Sequence, residues 1–242
     1  MSEGIRLTTG HLMRATFELL GNNRGAATLC FLLLFAVQGA SSLVFYLTET
    51  PNSWQTGNYR IEWSELWWLA IIVWVIALAV VTALSILILL KSAHTRSFAA
   101  EGDGALLVAK GTVVYVITTI GIILGLIALI IPGLILLSRW IAAVPLALRQ
   151  DISIRSAISR SYNGTRGSTL AIGVCLVIFY LPSFLFSAID FSFGTAPDLE
   201  IAIMLFMESG VLSITDLLAA ALSVVVCLAL AGERSELTDV FA

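Results

Sequence analysis

Apolar residues run through this chain in stretches too long for an amphipathic helix, with polar residues gathered in the gaps. The stretches cover about 26–47, 66–90, 112–148, 168–188 and 208–231. A helix crosses the hydrocarbon core of a bilayer with about 20 apolar residues. Four of the stretches are therefore single spans, and the block 112–148 is nearly long enough for two. Pro132-Gly133 divides it. Proline cannot continue a helix and presets φ for the start of the next, so a tight helical hairpin with spans 112–131 and 133–148 is predicted. The expected fold is all-α, a polytopic six-transmembrane-helix bundle forming a single integral membrane domain over 1–242.

Short amphipathic segments precede some of these spans. In the first, His11, Arg14 and Glu18 share one face while Met13, Phe17 and Leu20 share the other. In another, Ile154, Ile158 and Tyr162 share a face, and Asp151 stands one turn before Arg155. A weaker segment at 105–109 follows a Glu-Gly-Asp-Gly turn at 101–104. Each ends in a basic residue and a glycine, Arg24-Gly25, Lys110-Gly111 and Arg166-Gly167, and each opens a pair of spans. The pattern allows a threefold helical-hairpin repeat, although the general preference for basic residues at inward helix ends yields the same pattern. Such segments either lie in the membrane interface or pack against the bundle.

Composition agrees with the pattern. Hydrophobic residues make up 59% of the chain and charged residues 12%, against roughly 25% charged in a soluble protein. The mean hydropathy is +0.98. The net charge of −3 matters less than where the charges fall. With the N-terminus inside, the inner segments hold Arg6, Arg14, Arg24, Lys91, Arg96, Lys110, Arg149, Arg155, Arg160, Arg166 and Arg234, eleven of the thirteen basic residues. The outer segments hold Arg60 together with Glu49, Glu62, Glu65, Asp190, Asp198 and Glu200, and Trp63, Trp67 and Trp68 stand at an outer aromatic belt. This asymmetry predicts a multi-pass protein of a cytoplasmic membrane with both termini in the cytoplasm. Asn163-Gly164-Thr165 has the form of a glycosylation acceptor, but it would face the cytoplasm, where no oligosaccharide is transferred. It reads instead as helix punctuation, Asn163-Gly164 tolerating left-handed φ and Thr165 capping the helix that follows.

Ionisable residues inside a span are costly and usually paired. Arg139 lies seven residues past Pro132, and Glu208 and Asp216 lie in the outer part of the last span. They are expected to form an intramembrane polar cluster, with Arg139 paired to Asp216 or Glu208. Either this is an interhelical clamp between spans four and six or it is a ligand site; the clamp is favoured because no second ionisable cluster follows along the bundle. Gly121 and Gly125 form a GxxxG pattern that permits close helix packing, within the bundle or between two copies of the chain.

Sites for chemistry are sparse. His11 and His94 stand near no serine or cysteine nucleophile, and GxSxG, HExxH and P-loop patterns are absent. Cys30, Cys175 and Cys227 fall in apolar runs without metal-ligand or disulfide spacing. No enzyme activity, cofactor or metal is expected, and without a basic stripe interleaved with aromatics no nucleic-acid partner either.

The stretch 135–167 adds a motif. Arg139-Trp140 is followed by Pro145, and then by Ala157, Arg160, Ser161, Thr165 and Gly167, with Arg166 beside them. This resembles the membrane-domain family of glycerophosphoryl diester phosphodiesterases, which runs Arg-Trp, Pro and then A-L-x-R-S-x-x-L-T-x-G before a span. Ile158 and Gly164 replace the family's leucines. Leu148-Arg149-Gln150 stands where an acid is usual, with Asp151 close by. The family's catalytic barrel, when present, follows the membrane domain, and no sequence for it occurs here. The resemblance therefore implies a stand-alone bacterial inner-membrane relative without phosphodiesterase activity. The expected function is non-enzymatic: organising membrane lipid, a protein partner or a second copy of the chain through the basic cytoplasmic face. The rival expectation is a small transporter or flippase-like protein with a polar site around Arg139, Glu208 and Asp216.

Overall fold

Proline placement divides the apolar runs into helices in the computed structural model, which describes residues 7–49, 63–93, 104–149, 152–190 and 198–230. The described residues form α1 (Thr9–Asn22), α2 (Arg24–Glu49), α3 (Trp63–Ser92), α4 (Gly104–Ala128), α5 (Ile130–Trp140), α6 (Ala143–Arg149), α7 (Ile154–Gly164), α8 (Thr169–Asp190) and α9 (Asp198–Leu230). Among the described residues six segments are long and apolar enough to cross a membrane, with α5 and α6 together making the fourth. The protein is an all-α polytopic membrane bundle. The three parts of the chain that hold Asp151, His94 with Arg96, and Arg234 lie outside the described residues.

The hairpin between spans three and four turns earlier than Pro132-Gly133. The chain breaks at Leu129, whose backbone is extended, and Pro132 is the third residue of α5. Proline has no N–H for the carbonyl four residues back, and its ring crowds that carbonyl. That carbonyl belongs to Ala128, and α4 ends there. Gly133 serves another purpose than turning the chain. A Cβ on it would stand 2.5 Å from Leu126 Cγ and 2.7 Å from the Leu126 main-chain nitrogen, so its absence lets α5 lie directly against α4. The same rule recurs at Pro145, third residue of α6. Its missing bond falls at Ile141, and the helix opens into a turn at Ile141 and Ala142.

The glycines of the GxxxG pattern act within this hairpin. A Cβ on Gly121 would strike the Trp140 ring at 2.4 Å, and one on Gly125 would come within 3.1 Å of Gly133 Cα. Gly121 and Gly125 thus admit Trp140 and the α5 backbone.

The core gathers around α9, whose residues from Ala220 to Ala229 are all buried. α9 packs on α1, α2, α3, α6 and α8. Leu69, Ile72, Val73 and Ile76 of α3, Ile120 and Leu124 of α4, and Leu181, Phe184 and Leu185 of α8 face outward as exposed apolar surface. That surface suits lipid and would be costly in water.

The amphipathic segments differ from expectation in detail. α1 buries Leu12, Ala15, Thr16 and Leu19, a stripe at helical spacing. Phe17 is 52% exposed and meets the Phe179 ring edge-on at 6.2 Å. The predicted apolar face of Met13, Phe17 and Leu20 is therefore the margin of the buried stripe. Arg14 and Glu18 pair across one turn at 2.6 Å. Residues 105–109 form no separate segment but open α4 continuously, and Lys110-Gly111 falls inside that helix. Arg24-Gly25 opens α2 and Arg166-Gly167 lies in the turn before α8, so two of the three junctions share a layout and the middle one departs from it.

Candidate functional site

Six helices leave a cavity of about 130 Å3 between them. Each contributes residues at the spacing of one helix face. Tyr115, Thr118, Thr119 and Ile122 come from α4, and Asp216, Ala219, Ala220 and Ser223 from α9. Leu137, Trp140, Ile141 and Val144 come from α5, the following turn and α6. Thr82 and Ile86 of α3 and Leu176 and Tyr180 of α8 complete the wall. Alanines at 219 and 220 place no bulk beside Asp216, which opens the space that larger residues would fill.

Asp216 is the ionisable centre of this wall. Gln38 of α2 donates a hydrogen bond from Nε2 to its carboxylate at 2.9 Å. The Tyr180 side chain adjoins the same carboxylate, and Tyr115 adjoins Thr82 and Thr119. Among the described residues no arginine, lysine or histidine forms an ion pair with Asp216. The carboxylate is thus held by neutral donors.

Two of the spans around this cavity carry proline. The fourth span is broken at Ile141 and Ala142, two residues that reach the cavity edge and the core. In α8, Pro182 lies inside the helix, where its missing N–H frees nearby carbonyls. Thr215 donates its hydroxyl to the Phe179 carbonyl at 3.2 Å and lies 2.6 Å from the Ser183 hydroxyl, which therefore acts as donor to it. The residue preceding Asp216 thus fixes α9 against α8 in the turn that holds Pro182.

The expected cluster of Arg139, Glu208 and Asp216 is not assembled. Arg139 forms an ion pair with neither acid among the described residues. Its guanidinium lies over the Tyr162 ring, 4.4 Å from the centroid, a cation–π arrangement. Its Nε is buried without a hydrogen-bond partner. The expected pairing placed the turn at Pro132-Gly133, whereas the chain turns at Leu129. Glu208 lies two turns before Asp216 on α9 and is absent from the cavity wall.

The motif residues converge instead on the broken span. The turn at Ile141 and Ala142 removes the Arg139 carbonyl from the helical ladder. Ser161 donates to that carbonyl at 2.7 Å and Thr165 at 3.2 Å. Ala157, Ser161 and Thr165 form the buried stripe of α7, which packs on α4, α5 and α6. Arg160 and Arg166 are exposed. Gly167 has open space around its Cβ direction.

The helix punctuation differs too. Asn163 and Gly164 remain helical, and Thr165 is right-handed, with φ −83° and ψ −2°. A Cβ on Gly164 would meet Leu230 Cδ2 at 2.8 Å, so this glycine admits the end of α9. Thr165 turns its hydroxyl back to Arg139 and Ser161. The Ile172 N–H bonds to the Ser168 carbonyl at the start of α8.

No family model, curated protein or solved structure matches the chain.

Proposed function

We propose that the chain is a small transporter or flippase-like protein whose polar site is the cavity at Asp216. The observation behind this reading is a membrane-spanning carboxylate on a cavity wall beside a broken span. Interrupted helices next to a polar site are how transporters place backbone and side-chain polarity inside a bilayer. A bundle built only as a scaffold has no use for such a cavity, and a buried carboxylate would be a standing cost to it. On this reading the protein is non-enzymatic and sits in a bacterial inner membrane, with both termini cytoplasmic as the basic residues suggest. Kinship to the phosphodiesterase membrane domain is part of the proposal, supported by the junction that Arg139, Pro145, Ser161 and Thr165 build together.

Cysteine accessibility tests it. In a background lacking Cys30, Cys175 and Cys227, Thr119→Cys and Ser223→Cys should react with a small membrane-impermeant thiol reagent added from one side of the membrane. Resistance of both positions from either side would describe a sealed void and end the transport reading.

The organisation of lipid is a second reading, favoured by Arg155, Arg160 and Arg166, all exposed along α7 and the turn after it. Anionic lipid should then co-purify with the protein and be lost when all three become glutamine, as native mass spectrometry would register. Equal retention by the variant would remove this reading.

A further inference from the structure

We infer that the cavity at Asp216 takes a small organic ammonium ion, an inference that rests on the transporter reading and names its ligand class.

The first observation is charge. A carboxylate within a span is normally matched by a cation, and neutral hydrogen-bond donors replace only part of what the charge loses with its water. Gln38 supplies one such donor, and no basic side chain supplies the opposite charge among the described residues. The matching charge is therefore left for a ligand to bring. An anion would be repelled, and a neutral ligand would gain only hydrogen bonds.

The second observation is the wall. Tyr115, Trp140 and Tyr180 line the cavity together with Asp216. Aromatic faces attract organic cations, and ring quadrupoles beside a carboxylate are the combination that recognises ammonium groups. Hydroxyls of Thr119 and Ser223 on the same wall can accept N–H bonds from a primary ammonium. A divalent metal is served less well. Among the described residues no group of three His, Cys, Asp or Glu side chains is close enough to hold one, whereas such ions take six or more oxygen ligands, many of them charged.

The third observation is size. The cavity measures about 130 Å3, close to a cavity of about 150 Å3 that accepts benzene. Ethanolammonium and tetramethylammonium fall within that range; a whole phospholipid does not.

The test is calorimetric titration of the full chain in lipid nanodiscs, with empty nanodiscs as blank. Ethanolammonium and tetramethylammonium should bind saturably, and ethylene glycol, the neutral counterpart of ethanolammonium, roughly 10- to 100-fold more weakly. Asp216→Asn should weaken both cations by a similar factor, while Asp216→Glu should retain most of the binding. Tyr115→Leu, which leaves the carboxylate in place, should weaken tetramethylammonium about 5-fold or more. Should Asp216→Asn fail to fold, the ratio of ethanolammonium to glycol on the native chain still decides. Equal binding of glycol and ethanolammonium, or cation binding unaltered in a folded Asp216→Asn, overturns the ammonium assignment. So does the absence of cation binding to a protein whose cavity cysteines react, and in that case the transporter reading survives. Unreactive cysteines would remove that reading and the ligand assignment with it.

Discussion

Gly133→Val is expected to lower the melting temperature of the detergent-solubilised protein by about 10 °C or more, or to prevent folding. The Cβ alone would stand 2.5 Å from Leu126 Cγ and Cδ2, and a leucine side chain can rotate away. It would also stand 2.7 Å from the main-chain nitrogen of Leu126, which cannot move without displacing α4. Overpacking of this kind costs about 1–3 kcal/mol and more when backbone must shift, a large part of a total stability of about 5–15 kcal/mol. The effect reaches function as well, because α4 and α5 form adjoining walls of the cavity. Gly167→Val is the control, since nothing lies within 4 Å of a Cβ there. If Gly133→Val melted with the native protein, the α4–α5 packing described above would be wrong.

The second large effect is a pair of hydroxyl deletions. Ser161→Ala and Thr165→Val each remove one donor from the Arg139 carbonyl, and the remaining hydroxyl can still serve it. Each alone should cost about 1 kcal/mol. The double variant leaves that carbonyl with neither hydroxyl beside a broken helix, and an unpaired buried polar group costs about 1–3 kcal/mol beyond the lost bonds. The loss should therefore exceed the sum of the singles by about 1 kcal/mol, within the range seen for residues sharing a partner. Thermal unfolding of the four proteins in one detergent measures it. Additive losses would mean that the two hydroxyls do not share the carbonyl as an acceptor.

The number of spans could be read from the chain, because a run of apolar residues about as long as a bilayer is thick admits few other structures. The two breaks were harder. Pro132 was visible, but a proline in the first turn of a helix ends its predecessor four residues back, so the turn falls at Leu129 instead of Pro132-Gly133. Pro145 stands in the motif, and the same four-residue rule places the break at Ile141.

The site was half legible. Asp216 stood out as an acid in an apolar span. Its partner Gln38 is 178 residues away, and no local pattern links them, although a glutamine inside the first span was itself a polar residue in an expensive place. Thr82, Tyr115, Thr119 and Tyr180 carry no such signal, because hydroxyl-bearing residues are common in spans and can bond within their own helix. Their helical spacing toward a shared cavity emerges only when six helices are assembled. Arg139 was paired with an acid because opposite charges in a membrane usually meet; an aromatic ring took that place instead.

The short helix α6 sets an order on how this protein is made. All seven of its residues are buried, down to Arg149 at 7% exposure, by contacts with α3, α4, α7 and α9. It has no face of its own for lipid. When the fourth span is made, α3 and α4 already exist to cover part of α6, but α7 and α9, which cover the rest, follow it in the chain. A nascent chain halted before α9 would present Arg149 and its neighbours to the bilayer or to a chaperone. The contacts of α6 are therefore complete only once α9, the last of the described helices, is in place.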